Sequence, residues 1–281
     1  MLEFYQAYAD YQVMMGLTEE MLTALVKEIA GSAKLTYQDK TVDFSRWQRA
    51  IEDTLRAGGV LMLPAFSLER TQELLFEIND LMEAGRVSRV PIFLDSPLAI
   101  KATAVYKKYE SYFNREAHEK IKSWDDLFKL PNVKFTLTTE ASKSINEIPA
   151  PKIIMAGSGM STGGRILHNE RRYLHDPKSA LLMVGYQDPG SLGRMLQDGA
   201  REVTLFGEKI PVRARILTLR GYSAHPDRDW LLNFIDKSRD SLEKVFAIHG
   251  EPASALFLVQ RVRDYLGIEA YAPRYGESYE I

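Results

Sequence analysis

Five short apolar runs separated by helix-like segments constrain this chain more than any other feature of its sequence. The runs are GVLMLPAF (59–66), VPIFLDSP (90–97), VKFTLT (133–138), KIIMAGS (152–158) and ALLMVGY (180–186). Continuous apolar strands that alternate with helices are typical of a parallel sheet covered on both faces, so the sequence predicts an α/β fold. In such sheets, active sites lie at the carboxyl ends of the strands.

The segments that precede these runs have a different pattern. Residues 1–33 predict helix, because apolar residues recur at helical spacing within 18–31. The segment 34–44 predicts an irregular or edge segment. Ser45 is placed to cap a helix that ends at Gly58.

The segments that follow the runs change character again. Residues 202–220 alternate about Gly207 and predict a hairpin. A loop and helix, the strand VFAIH, a helix over 252–266 and a closing strand follow. We therefore expect three parts: an N-terminal helical segment (1–33), a first domain (34–200) and a second domain (201–281).

Composition limits the location and the chemistry of the protein. Its 281 residues carry a net charge of −2, so any site for a polyanion must be a local patch. The chain has no cysteine, which excludes disulfides, thiolate zinc sites and a cysteine nucleophile. The N-terminus has no signal pattern, and no run reaches the roughly 18 apolar residues of a membrane span. We expect a soluble, cytoplasmic protein with no membrane partner.

An aspartate and a serine follow the second apolar run. Asp95 lies where the strand stops, which is a common place for a catalytic carboxylate, and Ser96 beside it is placed to bind an anion. The alternative is an Asp-Ser-Pro turn that caps the next helix.

A glycine-rich loop follows the fourth run, in the sequence MAGSGMSTGGRILH. Ser158, Gly159, Gly163 and Gly164 leave backbone N–H groups available to a phosphate, next to a helix N-terminus. Arg165 adds a guanidinium that can bind an anion in a bidentate manner. The spacing is neither that of a dinucleotide fingerprint nor that of a Walker A loop. The alternative is a tight turn that needs glycine for steric reasons.

Two histidines lie where they could act in catalysis. His225 is in a loop close to Asp227, and a neighbouring carboxylate suits a histidine to proton transfer. His249 follows the strand VFAI and precedes Glu251, so it is a candidate metal ligand or acid–base group. The alternatives are a histidine that caps a helix and a buried histidine bonded to backbone. No HxH, HxxxH or HExxH spacing occurs, so a complete two-metal site is not found.

The order of these motifs closely resembles the β-CASP branch of the metallo-β-lactamase superfamily, which comprises nucleic-acid-processing nucleases. The matching segments are GGVLMLPAFSLERTQELL, IFLDSPLAIKAT, IIMAGSGMSTGGRILH, VGYQDPGSLGR, RGYSAHPDRDWLL and FAIHGEP. The resemblance covers roughly residues 45–281. It implies a Rossmann-like, parallel-sheet β-CASP domain, followed by the C-terminal part of a metallo-β-lactamase αβ/βα domain.

The resemblance also implies roles for the two histidines. His225 matches the family's general acid near the scissile phosphate, with Asp227 as the carboxylate beside it. His249 matches a ligand to one of two zinc ions, and members that act on RNA resemble this chain in having histidine there. RNA is therefore the expected partner.

The sequence departs from the family pattern at its start. The HxHxDH metal motif is absent, and in KLTYQDK the family's acid and glycine are replaced by Lys34 and Gln38. Two functions remain open: a partial or split form of a zinc-dependent ribonuclease, and a non-catalytic RNA-binding or assembly module. A nucleotide-binding domain is a more distant third. We also expect a complementary metallo-β-lactamase chain, or a second copy, to cover an exposed apolar face.

Overall fold

The computed structural model describes residues 34–37, 40–43, 45–83, 85–112, 132–219 and 225–280. The chain divides into two compact units between residues 223 and 224. The helix expected within residues 1–33 lies outside the described residues. None of the described helices is long and apolar enough to cross a membrane.

Ten strands are described in the first unit, and six of them form a parallel sheet. The strands are β1 (Lys34–Tyr37), β2 (Lys40–Asp43), β3 (Val60–Pro64), β4 (Ile92–Leu94), β5 (Val133–Phe135), β6 (Lys152–Ala156), β7 (Ala180–Met183), β8 (Glu202–Leu205), β9 (Glu208–Pro211) and β10 (Arg215–Thr218). The order across the parallel sheet is β10-β7-β3-β6-β4-β5. This sheet confirms the predicted α/β fold. The segment expected to be irregular or at an edge forms the antiparallel pair β1 and β2.

Helices cover both faces of this sheet. They are α1 (Ser45–Arg56), α2 (Arg70–Glu83), α3 (Pro97–Lys108), α4 (Thr139–Ser144), α5 (Ile166–Tyr173) and α6 (Leu192–Gln197). Because side chains alternate along a strand, Leu61 and Leu63 of β3 pack into one core with α1, α2 and α3. Val60 and Met62 pack into the opposite core with α5 and α6. Burial on both faces explains why these strands are continuously apolar in sequence.

The starts of two helices differ in how well the sequence predicted them. The sequence predicts a helix capped at Ser67, but residues 67–69 form a turn and α2 begins at Arg70. Ser96 does cap α3, since its side chain accepts a hydrogen bond from the Ala99 N–H group. Pro97 then occupies the first helical position, where its missing N–H costs no hydrogen bond.

The predicted hairpin is confirmed, but it is shorter than expected. Strands β8 and β9 pair antiparallel, and Val203 and Leu205 are buried against the second core. Residues 215–218 leave the hairpin and pair with β7 as the sixth parallel strand, β10. The first unit therefore continues past residue 200, and the domain limits predicted from the sequence stay predictions.

The second unit is small. It contains α7 (Arg228–Lys237), β11 (Lys244–Phe246), α8 (Pro252–Arg261), a π-helical turn (Val262–Leu266) and β12 (Glu269–Tyr271). Strands β11 and β12 pair in parallel, and their core consists of Ile235, Val259, Val262, Ile268 and Ala270. The two helices and the two strands expected from the sequence in this region are confirmed.

Candidate functional site

The glycine-rich loop, residues 157–165, connects the carboxyl end of the central strand β6 to α5. Its backbone closes on itself, because the Ser158 N–H donates to the Gly163 carbonyl at 3.0 Å. The Ile166 N–H donates to the Gly157 carbonyl at 3.0 Å. The Ser158 hydroxyl accepts from the Thr162 N–H at 2.9 Å. The loop thus has a defined shape before any ligand binds.

Steric demands account for two of its glycines. Gly164 has φ +75°, and a Cβ there would lie 2.4 Å from the Gly157 carbonyl oxygen. A Cβ on Gly159 would lie 2.9 Å from the ring of Phe66. A Cβ on Gly163 would meet nothing within 4 Å. The steric alternative raised by the sequence therefore holds at Gly159 and Gly164, and Gly163 faces open space.

Several N–H groups of the loop have no acceptor among the described residues. Within the described residues, the N–H groups of Gly159, Met160, Gly163 and Gly164 donate no hydrogen bond to backbone or side chain. Backbone N–H groups at the start of a helix are suited to an anion, because the helix dipole adds positive potential. The predicted binding of a phosphate by Ser158 and these glycines stays a prediction that this geometry supports.

Asp95 is the centre of a buried polar cluster at the carboxyl end of β4. Its side chain is 1 % exposed and forms an ion pair with Arg165 at 3.0 Å. The carboxylate also accepts hydrogen bonds from Thr136 (2.7 Å), Ser142 (2.9 Å) and Asn169 (3.2 Å). The carboxylate is therefore surrounded by donors, as a buried charge requires. The catalytic or anion-binding role of Asp95 stays a prediction.

Arg165 directs its guanidinium into the protein. Besides Asp95, it donates to the backbone carbonyls of Thr136 and Leu137. The side chain thereby joins the ends of β4 and β5 to the loop that follows β6. In this arrangement Arg165 fixes the start of α5, and its direct contact with a phosphate stays a prediction.

Ser96 is also used within the protein. Its hydroxyl lies 3.2 Å from that of Ser67 and 3.3 Å from the Ala99 N–H group that it caps. These contacts fit the alternative prediction, in which the Asp-Ser-Pro turn caps the next helix. An additional contact with an anion stays a prediction.

A buried acid that the sequence did not mark lies beneath the loop. Glu170 is fully buried, and its Oε1 accepts a hydrogen bond from the Ser161 hydroxyl. Its Oε2 has no partner among the described residues. Burial raises the pKa of Glu170 to about 8, although the Ser161 hydrogen bond acts in the opposite direction. The side chain is therefore mostly protonated and uncharged at neutral pH.

Gln187, which follows β7, holds the loop from the other side. Its amide Nε2 donates to the carbonyls of Gly159 (3.1 Å) and Gly185 (3.2 Å). The Gly193 N–H donates to the Met160 carbonyl at 3.1 Å. Neither contact was expected from the sequence, because both depend on β6 and β7 lying on either side of β3 in the sheet. The loop is thus fixed through Ser161, Met160 and Gly159.

In the second unit, Asp227 caps α7. Its side chain accepts a hydrogen bond from the Trp230 N–H at 3.0 Å, whereas the alternative raised by the sequence gave a helix-capping role to His225. His225 lies two residues before it and is exposed. The catalytic roles of His225 and Asp227 stay predictions.

His249 is exposed and lies shortly after β11, which ends at Phe246. It has φ +62°, which is unusual for a residue other than glycine. No group of three or more His, Asp or Glu side chains that could hold a metal ion occurs among the described residues. These residues therefore do not make up a zinc site by themselves, and His249 as a zinc ligand stays a prediction.

Comparison with known proteins matches two domain families. Residues 71–196 match the Beta-Casp domain, and residues 209–273 match the Zn-dependent metallo-hydrolase RNA specificity domain. The first match contains the glycine-rich loop and Asp95. The second contains His225 and His249.

Curated relatives include proteins named as ribonucleases. The chain is 36 % identical over 231 residues to Ribonuclease TTHA0252 of Thermus thermophilus. The aligned region covers 82 % of this chain and 52 % of the relative. It is 35 % identical over 226 residues to an RNase J-like protein of Methanocaldococcus jannaschii. This aligned region covers 80 % of this chain and 51 % of the relative.

A third relative is named for a different role. The chain is 30 % identical over 257 residues to transcription termination factor FttA of Pyrococcus abyssi. Here the aligned region covers 89 % of this chain and 39 % of the relative. The chain thus spans about half the length, or less, of these curated relatives.

Proposed function

Because this chain belongs to the β-CASP branch of the metallo-β-lactamase family, we propose that it is the RNA-binding part of an RNA-processing nuclease. The observation that carries the proposal is the glycine-rich loop, whose N–H groups at 159, 160, 163 and 164 donate no hydrogen bond within the described residues. We assign these groups to a phosphate of the RNA backbone.

Electrostatics at the loop favour an anion. The dipole of α5 points its positive end toward the loop, and the nearby Asp95 carboxylate is neutralised by Arg165 at 3.0 Å. Glu170 beneath the loop is uncharged at neutral pH because burial raises its pKa to about 8. Neither acid therefore places an uncompensated negative charge next to the proposed phosphate.

The hydrolytic step requires more than the described residues offer. In the proposed nuclease, His225 would protonate the leaving oxygen and His249 would contribute to a zinc site. Because no metal-binding cluster occurs in the described part of the chain, we assign no further step to these residues. We propose that a complementary metallo-β-lactamase chain or a second copy supplies the remaining ligands.

The second unit supports such an association. The parallel pair β11 and β12 packs against α7 and α8, but it has no further strand among the described residues. Ile248, next to β11, is 63 % exposed. Sizing by light scattering at high concentration checks this proposal, and a monomer without any partner would contradict it.

A non-catalytic RNA-binding module is the second candidate. The lack of a metal-binding cluster among residues 34–37, 40–43, 45–83, 85–112, 132–219 and 225–280 favours it. Both candidates place RNA on the glycine-rich loop, and they differ in whether zinc-dependent cleavage follows.

Hydrogen exchange with and without single-stranded RNA tests the proposed contact. The N–H groups of residues 159, 160, 163 and 164 should exchange quickly in the protein alone and at least about ten-fold more slowly with RNA bound, because they gain phosphate acceptors. The turn at Gly207 provides an internal reference that should not change. RNA binding without added protection in the loop would contradict the proposed contact.

A further inference from the structure

An exposed apolar rim borders the glycine-rich loop. Its members follow the carboxyl ends of strands of the parallel sheet and are Phe66 (47 % exposed), Leu68 (65 %), Leu98 (67 %), Leu137 (50 %) and Tyr186 (49 %). Large apolar side chains gathered at the ligand-binding edge of such a sheet indicate contacts with something outside the unit. Polar groups of the loop can bind phosphates but provide no aromatic face on which a base of RNA can stack.

Phe66 is the member of this rim that contacts the loop. A Cβ on Gly159 would lie 2.9 Å from its ring, and one on Gly185 would lie 4.0 Å from it. The ring therefore lies between the loops that follow β6 and β7, next to glycines that add no side chain. Among the described residues it pairs with no other aromatic ring.

The backbone around Phe66 is fixed. The Ala65 N–H donates to the Ala156 carbonyl at 3.1 Å, and the Thr71 hydroxyl donates to the Phe66 carbonyl at 2.7 Å. The backbone that carries the ring is thus fixed before a ligand arrives, which lowers the entropy lost when a ligand stacks on it.

The topology opens a crevice at this position. β3 and β7 are neighbours in the sheet. The connection after β3 leads to β4, on one side of this pair, and the chain after β7 leads to β10, on the other side. The helices that follow, α2 and α6, accordingly pack on opposite faces. Adjacent strands whose connections diverge in this way form a topological switch point, where ligands of open α/β sheets bind.

We infer that Phe66 is a base-stacking residue, which takes an unpaired nucleobase of an RNA strand whose phosphate lies on the glycine-rich loop. The inference rests on the proposed function and names the class of substrate, single-stranded RNA. Bases in a duplex are already stacked, whereas an unpaired base presents its face to an aromatic side chain whatever its identity. Contact of the ring with Gly159 allows one strand to reach both features.

The test compares Phe66→Leu with Phe66→Tyr. Leucine keeps apolar bulk but removes the planar ring, whereas tyrosine keeps the ring. We expect Phe66→Leu to weaken binding of a single-stranded RNA about ten-fold or more, and Phe66→Tyr to stay within about three-fold of the wild type. The slope of log affinity against log salt should be the same for all three proteins, because no phosphate contact is lost.

Oligonucleotides with one abasic nucleotide at successive positions complete the test. The wild-type protein should bind much more weakly when the abasic nucleotide is at one particular position. Phe66→Leu should be insensitive to the abasic change at that position, because the missing base and the missing ring remove the same contact. Equal affinity of Phe66→Leu and wild type, or an abasic series without a sensitive position, would overturn the stacking role while RNA binding stands. If the wild-type protein binds no RNA, the proposed function itself fails.

Discussion

Glu170→Gln should make the protein more stable than the wild type at pH 8 and nearly equal to it at pH 5. Burial raises the pKa of Glu170 from 4.5 to about 8, so the folded state keeps a proton that the unfolded state releases between these values. The wild type therefore loses stability as pH rises through this window. Linkage places the loss between pH 5 and 8 at about 3 kcal/mol. Glutamine stays uncharged and can still accept the Ser161 hydrogen bond.

Denaturant unfolding at pH 5, 6.5 and 8 measures this difference. The free energy of unfolding of Glu170→Gln minus that of the wild type should rise steadily across the series. Glu147→Gln, which removes an exposed carboxyl of the same unit, serves as the matched control. Parallel curves for Glu170→Gln and the wild type would show that the buried acid does not titrate in this window.

Asp95→Ala should produce the largest loss of stability. The substitution leaves Arg165 without its counter-ion and takes an acceptor from Thr136, Ser142 and Asn169. Removal of one partner of a buried ion pair costs about 3 to 5 kcal/mol. The double variant with Arg165→Met should be less destabilised than the sum of the single changes, because the unpaired charge is gone.

Urea unfolding at neutral pH measures this effect. Asp198→Ala is the matched control, since Asp198 pairs with Arg194 at 3.0 Å on the surface and should contribute less than about 1 kcal/mol. A loss at Asp95 no larger than that at Asp198 would contradict the central role of the buried cluster.

The sheet was predictable because burial on both faces leaves a direct mark on sequence. The run through Leu61, Met62 and Leu63 is apolar because each side chain enters one core or the other. The strand at 215–218 was not recognised as part of this sheet. Its residues are mostly half-buried and mix polar with apolar side chains, so local sequence does not separate it from the arm of a hairpin, and only the position of β7 decides that it pairs there.

The candidate site was predictable residue by residue but not as an arrangement. Asp95 stood out at the end of a strand and Arg165 in the loop that follows another strand. Their pairing, however, depends on β6 lying beside β4. Glu170 was not marked, because in ILHNERRY it resembles any polar residue on a solvated helix. Its burial follows from the loop packing over α5, which local sequence does not encode.

Two glycine substitutions test the central claim, that the shape of the glycine-rich loop binds RNA. Gly164→Ala places a Cβ 2.4 Å from the Gly157 carbonyl oxygen, so the loop must move. Gly199→Ala is the matched control, since Gly199 has φ +93° but nothing within 4 Å of the added atom. Both variants carry the strain of a left-handed residue, and only the first displaces the loop.

Affinity for a single-stranded RNA, titrated by fluorescence anisotropy, is the decisive measurement. We expect Gly164→Ala to bind at least about ten-fold more weakly than the wild type, because the N–H groups no longer converge on a phosphate. Gly199→Ala should stay within about two-fold of the wild type. Equal RNA affinity of Gly164→Ala and Gly199→Ala, with both proteins folded, would contradict the account.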